Sequence, residues 1–264
     1  TVGVIALLIE GNMPATELHW PENTMKMNDN LVLISGKSAT GKSASLMNIA
    51  NPEGVIYLNC ENNKKLPFRG KFKEFGITDP VQVYQAFEEA EKMDDVHTIV
   101  VDSLTYMMDM YESYYVLNSS NTMKAWGEYA QFFKKLMSKY VAESTKNVIF
   151  IAHTSDIMND AEMAMETLVK VKGSLMNQGI ESYFSTVVST KKVNLKHLKK
   201  YESDLLDITP DEEELGFKYV FQTRITKDTV NERMRAPLSM WATKETFTDN
   251  NIQLVIDRLH EYYV

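Results

Sequence analysis

The chain has 264 residues, with 28 Lys plus Arg against 36 Asp plus Glu, for a net charge of −8. A hydrophobic share of 44% beside 24% charged residues excludes disorder, collagen and low-complexity arrays, and is enough for a sizeable core. The single cysteine, Cys60, excludes an internal disulfide and points to a reducing, cytoplasmic setting, while the acidic balance restricts any nucleic-acid contact to a local patch.

Residues 1–30 read as a lead-in, an apolar run followed by Gly11, Pro14 and Pro21. Its longest apolar stretch, Val4 to Ile9, is far too short to span a bilayer and lacks the flanks of a secretory signal, so no membrane partner is expected. The Val2–Ile9 run has two readings, a strand added to a neighbouring subunit or a strand of its own sheet. From Leu31 the pattern becomes strand, loop, helix, strand. Leu31–Ser35 reads as a buried strand and Lys42 to about Ala50 as a helix, with a turn at Asn51–Gly54 and a second strand at Val55–Cys60. Residues 61–80 read as polar, basic loop with a short element. Val81–Tyr84 is a short strand or the first turn of a helix ending near Met93.

Thr98–Val101 is a third buried strand and Val148–Ala152 a fourth. Between them Met123, Trp126, Ala130, Phe133, Met137 and Tyr140 recur at helical spacing. Residues 154–180 show weak periodicity and read as mobile loops. Tyr183–Val193 and Phe217–Thr226 are β-rich, with a charged insertion over about 194–216. A closing helix carries Ile252, Val255, Ile256, Leu259 and Tyr262, capped by Thr248 or Asp249. Strands alternating with helices imply a mainly parallel α/β sheet covered on both faces, here with a β-rich C-terminal extension. The expected division is a lead-in (1–30), a core (31–248) and a C-terminal helix (249–264).

Gly36 to Ser43 reads GKSATGKS and meets every fixed position of a phosphate-binding G-x-x-x-x-G-K-[ST] loop between a strand and a helix. Gly36 and Gly41 let the backbone curl so that N–H groups over Lys37, Ser38, Ala39, Thr40 and Ala44 face phosphate oxygens. The following helix adds its positive end. Lys42 reaches the β- and γ-phosphates of ATP, and the Ser43 hydroxyl can ligate Mg²⁺. Asp102, closing the strand TIVVD, is the expected metal carboxylate. Ser103 follows it, so a catalytic base must come from elsewhere. Glu61, at the end of the Val55–Cys60 strand, is placed to activate water, because ligands of such sheets sit beyond the carboxyl ends of the strands. His153, after VIFIA, is a candidate γ-phosphate sensor.

Together GKSATGKS, YLNCE, TIVVDS and VIFIAHT resemble the RecA-like core ATPases, and most closely the phage-encoded RecA-like recombination ATPases, or phage nucleotide-binding proteins. The resemblance covers about residues 30–240. It implies a RecA-like P-loop NTPase core, Mg²⁺-dependent ATP hydrolysis at the interfaces of a ring or filament, and single-stranded DNA as partner in annealing or strand exchange. For a phage-encoded protein the setting would be the host cytoplasm. It also places DNA-binding loops within about 154–182, where Lys170, Lys172 and Gly173 are candidates, joined by Lys191 and Lys192 further along a stripe that holds seven lysines against Glu181 over 169–200. Tyr183 and Phe184 read as core residues or as stacking platforms. A cation lent by the neighbouring subunit is expected late in the core, with Lys227 and Arg233 as candidates and Arg224 and Arg235 nearby. The sequence departs from bacterial RecA in carrying His153 where that family has Gln. A hexameric motor of the DnaB or KaiC-like branch and an ATP-switched assembly protein with little hydrolysis are the alternative readings.

Overall fold

The computed structural model describes residues 27–62 and 64–263, so the Val2–Ile9 run lies outside the described residues. Among the described residues nine strands form one mixed sheet: β1 (Leu31–Gly36), β2 (Val55–Asn59), β3 (Lys73–Gly76), β4 (Thr98–Asp102), β5 (Asn147–Asn159), β6 (Ala164–Val169), β7 (Thr186–Asn194), β8 (Phe217–Gln222) and β9 (Phe247–Asp249). The spatial order is β3-β2-β4-β5-β1-β7-β8-β9, with β6 paired to β5. From β3 to β7 every neighbour is parallel; the β7–β8 and β8–β9 pairs are antiparallel. The expected parallel core and β-rich C-terminal extension are therefore both present.

β1, β2 and β4 are apolar along nearly their whole length because helices cover both faces. One core layer lies under α1 (Gln82–Ala90), α2 (Leu104–Tyr111) and α3 (Thr122–Lys135), with Phe87, Met107, Tyr129 and Phe133 packed on Val101 and Phe150. The other lies under α7 (Ile252–Tyr263), whose Ile252, Val255, Ile256 and Leu259 meet Ile34, Ile149 and Trp241. The charged stretch before β8 holds α5 (Leu195–Leu198) and α6 (Pro210–Leu215), the latter opened by a Thr209–Glu212 capping box. Among the described residues no helix is long and apolar enough to cross a membrane.

Four local expectations change. The helix expected over Lys42–Ala50 is a 3₁₀ turn, Ser43–Leu46, followed by turns with i→i−3 bonds. Ser45 Oγ donates to the Lys42 carbonyl at 2.6 Å, offering the backbone a rival to the α-helical ladder, and Asn51 in the left-handed region with Pro52 behind it stops the segment. Such a short turn carries little of the macrodipole expected behind the phosphate loop. The stretch read as mobile loops is instead a β-hairpin, β5–β6, in register from Thr154↔Val169 to Asn159↔Ala164, followed by α4 (Gly173–Gln178). Met123, read as part of the buried stripe of α3, is 86% exposed, because it lies in the first turn beyond the edge of the core. The closing helix is capped by Asn251, whose side chain accepts from the Gln253 N–H at 3.0 Å, rather than by Thr248 or Asp249.

Candidate functional site

The parallel strands deliver their carboxyl ends to one edge. There Gly36 is level with His153 across the β1–β5 pair, and Asp102 is level with Asn59 on one side and Ile151 on the other. Glu61 stands two residues beyond the end of β2. The turn that aims it is set by Asn59, whose side chain accepts from the Glu61 N–H at 3.0 Å and donates to the Lys64 carbonyl at 2.9 Å.

The loop Gly36–Ala44 curls over this edge with Ala39 at φ 59° and Gly41 at φ 91°. A Cβ on Gly36 would stand 2.1 Å from Thr190 Oγ1, so only glycine lets β7 come this close. Thr40 and Thr190 share a 2.6 Å hydrogen bond, Asn250 donates to the Gly41 carbonyl at 2.8 Å, and Lys37 pairs with Asp156 of the hairpin at 2.6 Å. The loop is thereby fastened to β7, to the start of α7 and to the hairpin.

Lys42 is 6% exposed, and its Nζ donates to the carbonyls of Gly36 at 3.1 Å and Lys37 at 2.6 Å. Burial is the main reason its ammonium is held down at about 8; the nearby charges of Asp102 and Glu61 oppose that shift. Ser43 Oγ donates to Asp102 Oδ2 at 2.7 Å, and the Tyr57 hydroxyl donates to the same oxygen at 2.8 Å. Among the described residues, Asp102 Oδ1 is buried without a partner. Burial raises the Asp102 carboxyl above its ordinary range, against the hydrogen bonds from Ser43 and Tyr57. Burial, reinforced by Asp102, likewise drives the Tyr57 phenol upward, so it stays a donor.

Glu61 is 9% exposed. Its Oε1 lies 2.8 Å from His153 Nε2, and its Oε2 accepts from Lys64 Nζ at 2.8 Å. Burial alone would raise this carboxyl, but the hydrogen bonds from His153 and Lys64 outweigh it and hold the group at about 2. These residues face a cavity of about 410 Å³ lined also by Ser38, Ala44, Lys65, Tyr219 and Asn250. An orphaned, buried carboxylate oxygen beside a hydroxyl fits Mg²⁺, for which Ser43 and Asp102 would be the protein ligands. Tyr57, Asn59, Thr190 and Asn250 escape a reading by motif; the polar groups of Tyr57 and Asn59 in the otherwise apolar VIYLN are the sequence signal that could have drawn attention.

The remaining candidates are held by separate partners. Lys170 is exposed, and its N–H donates to the His153 carbonyl at 2.8 Å. Lys172 pairs with Glu112 at 2.5 Å, and Gly173 opens α4. Lys191 is paired with the buried Glu232, and Lys192 stands 3.9 Å over the Phe217 ring. The hairpin residues 154–169 carry Asp156, Asp160, Glu162 and Glu166 and no Lys or Arg. Phe184 is 1% exposed and Tyr183 packs edge-on against Phe133, so both are core residues. Arg233 is tied to Glu166 at 3.0 Å, with Glu181 3.9 Å away, whereas Lys227 is exposed. Arg224 donates to the Trp241 carbonyl at 2.7 Å and Arg235 to that of Ser182 at 3.3 Å.

A glycine cradle after the central strand, with a buried carboxylate closing a strand two places away, defines a P-loop nucleotide-binding protein with a mainly parallel α/β core. The model of the AAA domain family matches residues 28–212, and the chain belongs to that family. No curated protein matches the chain. Among solved structures, a KaiC-like protein from the hyperthermophilic archaeon Pyrococcus horikoshii OT3 is similar at 13% identity and a TM-score of 0.43, over 78% of this chain and 83% of that one.

Proposed function

We propose that the protein is an Mg²⁺-dependent ATPase that binds single-stranded DNA, works as a homo-oligomer and promotes annealing or strand exchange. Lys42 turns from its own loop carbonyls to the β- and γ-phosphates, which replace two neutral acceptors by charged ones. Ser43 and Asp102 hold Mg²⁺, which when bound neutralises charge on the phosphates. Glu61 accepts a proton from the attacking water and hands it to solvent, but only once Lys64 or His153 releases it, since a carboxylate held at about 2 is a feeble base. His153 is the sensing residue.

One observation carries the DNA part: the N–H of the cationic residue Lys170 is bonded to the carbonyl of His153, whose ring meets Glu61. A phosphate drawn to Lys170 is therefore two bonded steps from the base. Lys172 and Gly173 continue this contact, and the acidic hairpin tip is left for protein. Of the two cations considered for the neighbouring active site, Lys227 is the one exposed, while Arg233 is committed to Glu166. Lys191, held by the buried Glu232, and Lys192, over the Phe217 ring, have a lesser claim on the strand. ATP turnover measured with and without single-stranded DNA tests the proposal. Stimulation of several-fold, lost in Lys170→Ala, is expected; turnover that ignores DNA would favour an ATP-switched assembly protein.

A further inference from the structure

A second cleft of about 450 Å³ opens beside the nucleotide site, between α2 and the turn after β2. Tyr106, Asp109, Met110, Ser113 and Tyr114 face it, three- and four-residue steps along one side of α2 and the turn that extends it. From the other wall come Asn62 and Thr78. Tyr106 and Tyr114 are 39% and 51% exposed, unusual for large rings set in a concave surface. Asp109 is half-buried, and among the described residues its carboxylate has no hydrogen bond or ion pair. Burial raises it above the ordinary range, opposed mainly by the charges of Lys172 and Lys170. Tyr106 also stands edge-on to His153, with ring centroids 5.6 Å apart, so a residue of this cleft meets one that lines the nucleotide cavity.

We propose that this cleft seats an unstacked base of a single nucleic-acid strand, between the rings of Tyr106 and Tyr114, with the exocyclic amino group of the base donating to Asp109. Aromatic rings stack any base, and a carboxylate accepts from the amino group of cytosine. The strand's phosphates then run toward Lys170 and Lys172 on the adjoining segment. The inference rests on the single-strand reading above and deepens it. It adds a preference, because oligo-dC offers an amino donor that oligo-dT lacks. Through Tyr106 and His153 an occupied cleft is felt at Glu61.

The test is the affinity of labelled oligo-dC and oligo-dT for the full chain with saturating nucleotide, in wild type, Tyr114→Ala, Tyr114→Phe and Asp109→Asn. Tyr114→Ala should weaken both oligonucleotides roughly tenfold while leaving nucleotide binding unchanged, and Tyr114→Phe should restore affinity. Asp109→Asn should erase the preference for oligo-dC. Wild-type affinity in Tyr114→Ala, with the strand still bound, overturns the cleft but leaves the single-strand reading standing. Failure of the wild type to retain either oligonucleotide overturns both.

Discussion

His153 Nε2 reaches Glu61 Oε1 at 2.8 Å across the end of β4, joining two strands that do not touch each other in the sheet. Asp102 closes the strand between them. Glu61→Gln keeps the shape and the contact but removes the basic oxygen. ATP binding should persist and single-turnover hydrolysis should fall by about 10²–10⁴-fold. The same variant has an acid-stability signature. Glu61 is depressed in the folded state, so its stabilising contribution is full above the ordinary carboxylate value and lost as pH falls through about 2. Denaturant titrations between pH 5 and pH 2 should show a flatter acid limb in Glu61→Gln.

Lys42 titrates near 8 because it is buried. Phosphates beside it favour the charged form and raise that value. Below pH 8 the ammonium is already present, and above it nucleotide binding must take up a proton. Affinity for ATP should therefore be level from pH 6.5 to 7.5 and then weaken about tenfold per pH unit as pH rises past 8. Calorimetry in buffers of different ionisation enthalpy measures the proton uptake directly; a flat profile to pH 9.5 would contradict the assignment.

Tyr57→Phe removes one of two donors on Asp102 Oδ2 and leaves the packing intact. The neighbouring carboxylate is 2% exposed and cannot turn to water. The cost should be about 1–3 kcal/mol of stability, with the affinity for Mg²⁺ in the presence of nucleotide falling about 10–100-fold. Thermal unfolding and a Mg²⁺ titration of turnover check the two parts.

Gly36→Ala places a methyl against Thr190 Oγ1 and, at 2.8 Å, Thr40 Oγ1. The backbone must shift, at about 1–3 kcal/mol, and nucleotide binding should be lost. Adding Thr190→Ala removes the nearest clash and should recover part of the stability, measured by denaturant midpoint, although the Thr190 carbonyl at 3.2 Å keeps the recovery incomplete.

The phosphate loop, the apolar strands and the strand-end acids were legible because each is written in contiguous residues: GKSATGKS, TIVVD and VIFIA. What escaped is held by distant ones. Tyr57 and Asp102 are 45 positions apart, and Asn250 and Gly41 are 209 apart. The hairpin escaped for a different reason. Past His153 β5 leaves the core, so Ile157, Met158 and Asn159 are exposed or half-buried, and the residues TSDIMN show no alternation of apolar and polar side chains. Closeness along the lysine stripe does not carry over to shared partners: Lys172 pairs with Glu112 and Lys191 with Glu232.

β5 begins deep in the sheet and continues without interruption for six residues beyond His153. At about 3.3 Å per residue that outer arm is about 20 Å long, cross-braced by β6 along its length. Its shape is that of a stiff arm rooted at the histidine, beside the phosphate loop. Any rotation of the strand end at that root would be carried along the braced arm to Asp160–Met163.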